Sequence, residues 1–189
     1  MFDSAALRAR LTGVRDRIAR AAGRAGRDPA SIRLVAVSKT FPSDHIRALA
    51  DTGQLDFGEN KVQEGLLKID QTADLDLRWH LIGHLQSNKA KHAPRFHVIQ
   101  SIDDGSLLRR VDDAAVAAGR IVDVLLQIDL ANERTKHGVA PEGMKPILEA
   151  ADTCRAARVK GLMLLPPAEE DPEATRPFFV ALRALRDHL

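Results

Sequence analysis

Apolar positions along the chain fall into two alternating patterns, and each pattern predicts a different element. In residues 4–25, apolar side chains recur every three or four positions, which predicts an amphipathic helix with arginines on its other face. Those apolar positions are Leu7, Leu11, Val14, Ile18 and Ala21. Residues 32–37 (IRLVAV) form a short β-branched run, which is typical of a buried parallel strand.

The same alternation continues to the end of the chain. Further strands are predicted at residues 55–58, 79–83, 96–101, 121–130 and 159–165. Further helices are predicted at residues 43–51, 61–71, 87–93, 105–118, 142–157 and from 171 onward. We expect Ser43 to cap the second helix, and Asp171 to cap the last one with Pro172 at its first position. Strand followed by helix, repeated six times, predicts an α/β fold with a parallel sheet and right-handed crossovers.

Two architectures fit this order of elements: a doubly wound open sheet and a TIM-type (β/α)-barrel. A complete barrel needs about 200–250 residues, whereas the 189 residues of this chain supply about six strand–helix units. The pattern of elements therefore leaves both architectures open. The length suits a single domain over residues 1–189.

Charge and composition describe an ordinary globular chain. Hydrophobic residues make up 44% and charged residues 29%, and the net charge of +2 comes from interleaved signs. Neither nucleic-acid binding nor membrane binding is therefore supported. The single cysteine, Cys154, excludes an internal disulfide and favours a reducing compartment. Because the sequence shows neither a signal-peptide core nor 18 continuous apolar residues, we expect a cytoplasmic protein.

Lys39 is the first candidate for chemistry, because it directly follows the apolar strand VAVS at the edge where parallel strands end. Partial desolvation by apolar neighbours at that position would favour the neutral amine over the ammonium. A neutral lysine amine forms an imine with a carbonyl compound. The position alone leaves a second interpretation open, in which Lys39 is an ordinary solvated lysine at a strand end.

Other polar residues near the strand ends allow milder interpretations. His80 and His84 are four apart, but they flank a strand and share no helical face, so packing and hydrogen bonding are favoured over metal binding. Glu59 is either an acid–base group or a carboxylate at a helix start, and we favour the second. Asn60 suits a neutral donor to a cofactor oxygen. No GxGxxG, GxxxxGKS or GxxxxGKT string occurs, so nucleotide-phosphate loops of those types are not predicted.

Five strings in the sequence carry a resemblance to a known family. They are VAVSKTFP (35–42), FGENKVQE (57–64), WHLIGHLQSNKAK (79–91), IQSID (99–103) and GLMLLPP (161–167). In these strings, in their order and in their spacing, the chain resembles the pyridoxal phosphate homeostasis proteins over essentially its whole length. The second and third strings are long, which makes the resemblance specific.

The resemblance implies a fold-type III barrel like the N-terminal domain of alanine racemase, with about six of its eight units present in this chain. It implies that Lys39 holds pyridoxal 5′-phosphate (PLP) as an imine. Asn60 would lie beside the cofactor. The other implied contacts, along the floor near the cofactor ring, are His80, Ile82, Gly83 and Met163. No catalytic residue and no metal ligand are implied.

The same resemblance implies a function. It implies a carrier and buffer of PLP in intracellular vitamin B6 homeostasis, without clear catalytic turnover. Such a protein binds the reactive aldehyde, keeps it from reacting elsewhere and influences amino-acid and keto-acid pools. PLP-dependent apo-enzymes are candidate partners, and we expect a monomer.

The family pattern continues after the last predicted helix with two further strands. Those strands supply most of the donors for the cofactor phosphate and an arginine that meets the pyridine ring. This sequence ends at Leu189, before either string, so we expect the chain to lack the phosphate-binding strands and to leave strands one and six unpaired. We therefore expect weakened cofactor binding and a tendency to aggregate.

Three other functions stay open. The first is a PLP-dependent enzyme of the alanine racemase class, which uses a tyrosine base from a second domain, whereas this sequence contains no tyrosine. The second is an aldolase-like enzyme whose reactive lysine works without PLP. The third is a degenerate scaffold that no longer binds PLP. If another lysine held the cofactor, the candidates would be Lys61, Lys89 and Lys136.

Overall fold

Six parallel strands form one sheet in the computed structural model, which describes residues 3–132 and 137–189. The strands are β1 (Ala36–Val37), β2 (Asp56–Glu59), β3 (Arg78–Leu81), β4 (Val98–Ile102), β5 (Val122–Ile128) and β6 (Ala157–Leu164). Their order in the sheet is their order in the chain, with β1 and β6 at the edges. Because a doubly wound sheet reverses its strand order at a switch point, the sequential order decides in favour of barrel-type winding.

Helices connect the successive strands. The α-helices are α1 (Ser4–Arg24), α2 (Ser43–Ala50), α3 (Val62–Gln71), α4 (Gly105–Ala117), α5 (Lys145–Ala151) and α6 (Arg176–Asp187). Shorter 3₁₀ segments span Pro29–Ser31, Ser87–Arg95, Pro141–Gly143 and Pro172–Thr175. The helix predicted at residues 87–93 is thus present as a 3₁₀ segment, and Pro94 within that segment is incompatible with a regular α-helix. Within the described ranges, no helix is both long and apolar enough to cross a membrane.

The start of β1 differs from the sequence prediction. Only Ala36 and Val37 of the predicted strand 32–37 pair with β2. The backbone N–H of Ile32 donates instead to the carbonyl of Pro29 and closes the preceding 3₁₀ segment. That local hydrogen bond removes the first residue of the apolar run from the sheet.

The two predicted caps have different outcomes. Ser43 is the first residue of α2, and Pro42 holds the N-cap position without a side-chain hydrogen bond, so the predicted Ser43 cap is wrong. The Asp171 cap is confirmed, because its carboxylate accepts the backbone N–H of Glu173 and Pro172 opens the 3₁₀ segment that leads into α6.

The Asp112 carboxylate fixes the point where α5 gives way to β6. Its Oδ1 accepts the backbone N–H groups of residues 155–157 at 2.9, 2.6 and 2.8 Å. Three consecutive N–H groups that donate to a side chain cannot donate to helical carbonyls. The helix predicted over 142–157 therefore ends at Ala151, and its last predicted residue already belongs to β6.

The main hydrophobic core lies between the sheet and the helices. Its largest fully buried side chains are Phe57, Phe96, Ile46, Leu81, Leu85, Ile99, Ile102, Leu108, Leu126, Ile128 and Val111. Because successive residues of a strand face opposite sides, the residues next to Phe57 and Leu81 face the interior of the barrel. Gly58 and His80 are such residues, and they are register partners on β2 and β3.

The pKa of Asp112 makes its contribution to stability dependent on pH. Burial raises the pKa of this carboxyl, but the three backbone N–H donors outweigh burial and hold the pKa below its usual range. A carboxyl whose pKa is lower in the folded state stabilises the fold above its unfolded pKa. That stabilisation is lost as the pH falls through the folded pKa.

Asp112→Asn should lower the free energy of unfolding at neutral pH by about 1–3 kcal/mol, because the amide oxygen is a weaker acceptor for three buried donors. The difference from wild type should shrink as the pH falls below about 4. Urea denaturation followed by circular dichroism measures both effects. Asp113→Asn, on an exposed neighbour of the same helix, is the matched control. Equal losses in the two variants would contradict the assignment.

Candidate functional site

Lys39 lies in a tight turn between β1 and α2. The backbone N–H of Ser38 donates to the Gly58 carbonyl at 3.0 Å, and Thr40 takes a left-handed conformation with φ of 68°. The side chain of Lys39 is exposed. The predicted partial desolvation of its amine is therefore not found, since the apolar residues near Lys39 bound a cavity without covering the lysine.

A cavity of about 420 Å³ opens at the C-terminal ends of the strands, directly beside Lys39. The residues that line it are Val37, Lys39, Asn60, Ile82, Gly83, His84, Gln127, His137, Met163 and Leu165. Five of the six residues predicted from the sequence are in this set, although they come from four different strand ends. The structure thus brings Lys39 together with Asn60, Ile82, Gly83 and Met163.

His80 is the predicted site residue that does not line this cavity. Its side chain is buried in the barrel, where Nε2 lies 3.0 Å from Asp56 Oδ1 and Nδ1 lies 2.9 Å from Gln100 Nε2. Burial lowers the pKa of His80, and the nearby Asp56 carboxylate only partly opposes it. A neutral ring fits both contacts, since Nε2–H donates to Asp56 and Nδ1 accepts from the Gln100 amide. His80 is part of a polar network in the barrel.

Gly83 allows the exits of β2 and β3 to come into direct contact. A Cβ atom at Gly83 would lie 2.3 Å from the carbonyl oxygen of Asn60, so any side chain there would force the two backbones apart. Two further hydrogen bonds hold the same junction: Ile82 N–H donates to the Glu59 carbonyl at 2.9 Å, and Ser101 Oγ donates to the Gly83 carbonyl at 2.7 Å. The cavity wall at this point is therefore formed by fixed backbone.

A buried ion network holds the turn that carries Lys39. The ammonium of Lys68 donates to the Ser38 carbonyl at 2.6 Å, to Glu59 Oε1 at 2.6 Å and to Glu64 Oε1 at 2.8 Å. Ser38 Oγ donates to Glu59, and the backbone N–H of Thr40 donates to Glu64, both at 2.7 Å. Both chain neighbours of Lys39 are thus tied to this network, while the Lys39 side chain makes no hydrogen bond or ion pair with the residues that the structure describes.

The network corrects the interpretation of Glu59. Glu59 ends β2 with no exposed surface, and Lys68 neutralises it, so Glu59 is a buried ion-pair partner and not a carboxylate at a helix start. The hydrogen bond from Lys68, joined by the one from Thr40, lowers the pKa of Glu64. Glu64 therefore carries its charge at neutral pH.

Sequence reasoning missed Lys68, although two features could have pointed to it. Lys68 follows Glu64 by four positions on α3, the spacing at which opposite charges meet. The buried positions of α3 are Val62, Gly65 and Lys68, which recur every three residues. Lys68 therefore lies on the inward face of the helix.

A second, larger cavity of about 610 Å³ lies at the opposite end of the barrel, near the N-terminal ends of β2 and β3. None of the six predicted site residues lines it. Its lining includes Asp56 and Arg78, which form an ion pair with each other. In barrels of this class, functional groups gather at the C-terminal face, so the smaller cavity beside Lys39 is the candidate site.

Comparisons with known proteins find relatives of this chain in sequence and in structure. The family model for the alanine racemase N-terminal domain matches residues 9–189. The pyridoxal phosphate homeostasis protein of Aquifex aeolicus (strain VF5) is 41% identical over 181 residues, which are 95% of this chain and 79% of that protein. The structure of PipY from Synechococcus elongatus PCC7942, with PLP bound, has a TM-score of 0.79 at 35% identity, covering 90% of this chain and 80% of that chain.

A more distant solved structure bears on the fold alone. Alanine racemase from Streptomyces coelicolor A3(2) has a TM-score of 0.74 at 21% identity, covering 98% of this chain and 49% of that chain. Together with the sequential strand order, this likeness confirms the predicted barrel of the alanine racemase N-terminal type, with six parallel strands in the described residues.

Lys68→Met should lower the free energy of unfolding by about 3–5 kcal/mol, because the Glu59 carboxylate would stay buried without a counter-charge. Adding Glu59→Gln should recover part of the loss, since it removes the uncompensated charge. Lys61→Met, at an exposed position just before the same helix, is the matched control and should change stability by less than about 1 kcal/mol. Chemical denaturation of wild type, Lys68→Met, the Lys68→Met/Glu59→Gln double variant and Lys61→Met measures these differences. A Lys68→Met variant as stable as the control would contradict the network.

Proposed function

Because the chain belongs to the alanine racemase N-terminal domain family, and within it to the pyridoxal phosphate homeostasis proteins, we propose that it binds PLP as an imine on Lys39. We propose that it acts as an intracellular carrier and buffer of this cofactor. The observation that carries the proposal is the convergence of Lys39, Asn60, Ile82, Gly83 and Met163 on one cavity. PipY, which is similar in sequence and structure, has been solved with PLP bound.

The cavity beside Lys39 fits a small aromatic aldehyde. Its volume of about 420 Å³ lies within the range of small-molecule sites, roughly 300–1,000 Å³. Val37, Ile82, Met163 and Leu165 supply apolar walls for a flat ring. At Gly83 the exits of β2 and β3 meet, so fixed backbone forms the cavity wall there. When bound, PLP supplies the electrophilic aldehyde carbon that a lysine amine can attack.

The residues around Lys39 would have different roles in binding PLP. The Lys39 amine would condense with the aldehyde, forming one carbon–nitrogen double bond and releasing one water molecule. Lys68, through Ser38 and Glu64, fixes the backbone on both sides of Lys39, so the amine starts from a defined point at the cavity mouth. The amides of Asn60 and Gln127 are neutral groups within the cavity lining and suit the ring oxygen.

The exposure of Lys39 supports a carrier. An amine at an open cavity mouth is accessible both to incoming aldehyde and to the water or amine that releases it. We therefore propose reversible binding without catalytic turnover. The names of the curated relatives favour homeostasis over a reaction.

The proposal includes the setting in which the carrier works. We propose that residues 1–189 act as one PLP-binding unit, that this unit is a monomer in the cytoplasm, and that it delivers PLP to PLP-dependent apo-enzymes. The single, half-buried cysteine supports a reducing compartment. The exposed site supports direct delivery, because a second protein can approach Lys39 without unfolding the barrel.

Titration of the purified chain with PLP should give a saturable visible imine band, and Lys39→Ala should abolish it. Borohydride reduction followed by peptide mass mapping should place the modification on Lys39. Lys61→Ala, at an exposed lysine directly after Asn60, is the matched control and should keep the band. Circular dichroism of each variant checks that the helices remain.

Two results would overturn this assignment. An adduct mapped to Lys61, Lys89 or Lys136 in the wild-type chain would place the cofactor on another lysine; of these, Lys136 lies outside the described residues. A wild-type chain that gives no saturable band at PLP concentrations well above the protein concentration would refute carrier function for this chain.

A further inference from the structure

We propose that His84, Asp103 and His137 form a binding site for a divalent transition-metal ion, of the zinc type, at the mouth of the cavity beside Lys39. Their possible ligand atoms all lie within 4.8 Å of one another. Nδ1 of His84 lies 3.7 Å from Oδ2 of Asp103. This separation is too long for a hydrogen bond. In a tetrahedral zinc site with bonds of 2.0–2.1 Å, neighbouring ligand atoms are about 3.3 Å apart.

The three side chains come from three different strand ends. His84 follows β3, Asp103 directly follows β4, and His137 lies two positions before Val139, which bridges to β5. Two side chains hold the backbone at the two histidine positions by hydrogen bonds. Ser101 Oγ donates to the carbonyl just before His84 at 2.7 Å, and Gln127 Nε2 donates to the His137 carbonyl at 2.5 Å. The cluster is therefore built into the edge of the sheet.

Gly138 sets the course of the chain next to His137. Its φ of +140° is unfavourable for other residues, and a Cβ there would lie 3.0 Å from the backbone nitrogen of Asp129. Directly after it, Val139 N–H donates to the Gln127 carbonyl, and its own carbonyl accepts from Asp129 N–H, both at 2.9 Å. The backbone just after His137 is therefore held by hydrogen bonds to β5 and to Asp129, and the His137 imidazole lies beside that of His84.

The two imidazoles lie parallel, with ring centroids 3.7 Å apart and an interplanar angle of 9°. A metal ion lies near the plane of each imidazole that binds it, so both rings would turn out of this stack on binding, which their exposed side chains allow. The Asp103 side chain is largely buried beside them. Three protein ligands leave one position of a tetrahedral ion open, and both histidines line the cavity, so that position would open toward it.

The ligand set selects the class of metal. Two neutral imidazoles and one carboxylate suit Zn²⁺ and its neighbours Co²⁺ and Ni²⁺, whereas Mg²⁺ and Ca²⁺ prefer oxygen ligands throughout. From the sequence, His84 is paired with His80, and no metal site is expected. The proposed site pairs His84 with Asp103 and His137 instead. The structure separates His84 from His80, because His80 contacts Asp56 and Gln100 inside the barrel.

Co²⁺ is the probe for the experiment, because its visible spectrum distinguishes a tetrahedral protein site from loosely bound, octahedral ions. The full chain without PLP should bind one Co²⁺ with a tetrahedral spectrum, and Zn²⁺ should displace it. His84→Gln and His137→Gln should each weaken Zn²⁺ affinity by at least about tenfold, measured by competition. Asp103→Asn should weaken it in the same direction.

Control variants distinguish this site from metal bound elsewhere on the chain. His188→Gln removes a histidine near the C-terminal end of the described chain, and Cys154→Ala removes the thiol; neither should change the Co²⁺ spectrum. Lys39→Ala should also leave it intact, so failure of PLP binding and failure of metal binding are independent results. An octahedral spectrum, or affinities for the His84→Gln and His137→Gln variants equal to that of His188→Gln, would overturn the proposal. Circular dichroism excludes loss of fold as the cause.

Discussion

A buried lysine ammonium needs several hydrogen-bond acceptors in place of water, and the acceptors of Lys68 come from three elements. It joins Glu59 on β2, Glu64 on α3 and the Ser38 carbonyl after β1. Each contact alone is local, but together they couple the first two strand ends to the helix that follows them. The position of Lys39 depends on this coupling, since both of its chain neighbours belong to it.

The main effect of the Lys68 network is to hold the turn around Lys39 in place, and its net contribution to the free energy of unfolding is secondary. Buried ion pairs are often no more stabilising than apolar side chains of the same volume, because both charges lose their hydration. The Glu59 carboxylate even keeps one oxygen, Oε2, without a hydrogen-bond partner in the described part of the chain. An apolar substitute would fill the same space but would release Ser38 and Thr40. The charges are therefore needed where they direct the backbone of the turn.

The sequence predicts the strand–helix order and most of the candidate site for one physical reason: parallel strands end at the same edge, so polar residues after each strand converge. This reasoning succeeds for Lys39 and Asn60, which follow their strands closely. His80 precedes Ile82 by two positions and so faces the same side at a deeper level, where it has the packing and hydrogen-bonding role that its place in the sequence favours. Its contact with the cofactor ring is implied by the family resemblance alone and stays a prediction. The reasoning from strand ends misses Lys68, whose burial depends on a partner, Glu59, that only strand pairing and helix packing bring near.

The two ends of the barrel differ in whether their polar side chains are already paired. At the N-terminal end, Asp56 is engaged by Arg78 and His80, which leaves little capacity for a ligand. At the C-terminal end, Lys39 and His84 are exposed beside a cavity whose backbone is fixed. A fixed backbone limits the entropy lost when a ligand binds, and an exposed lysine stays accessible both to a ligand and to solvent. A carrier needs both properties, because it must recognise its cargo and then release it.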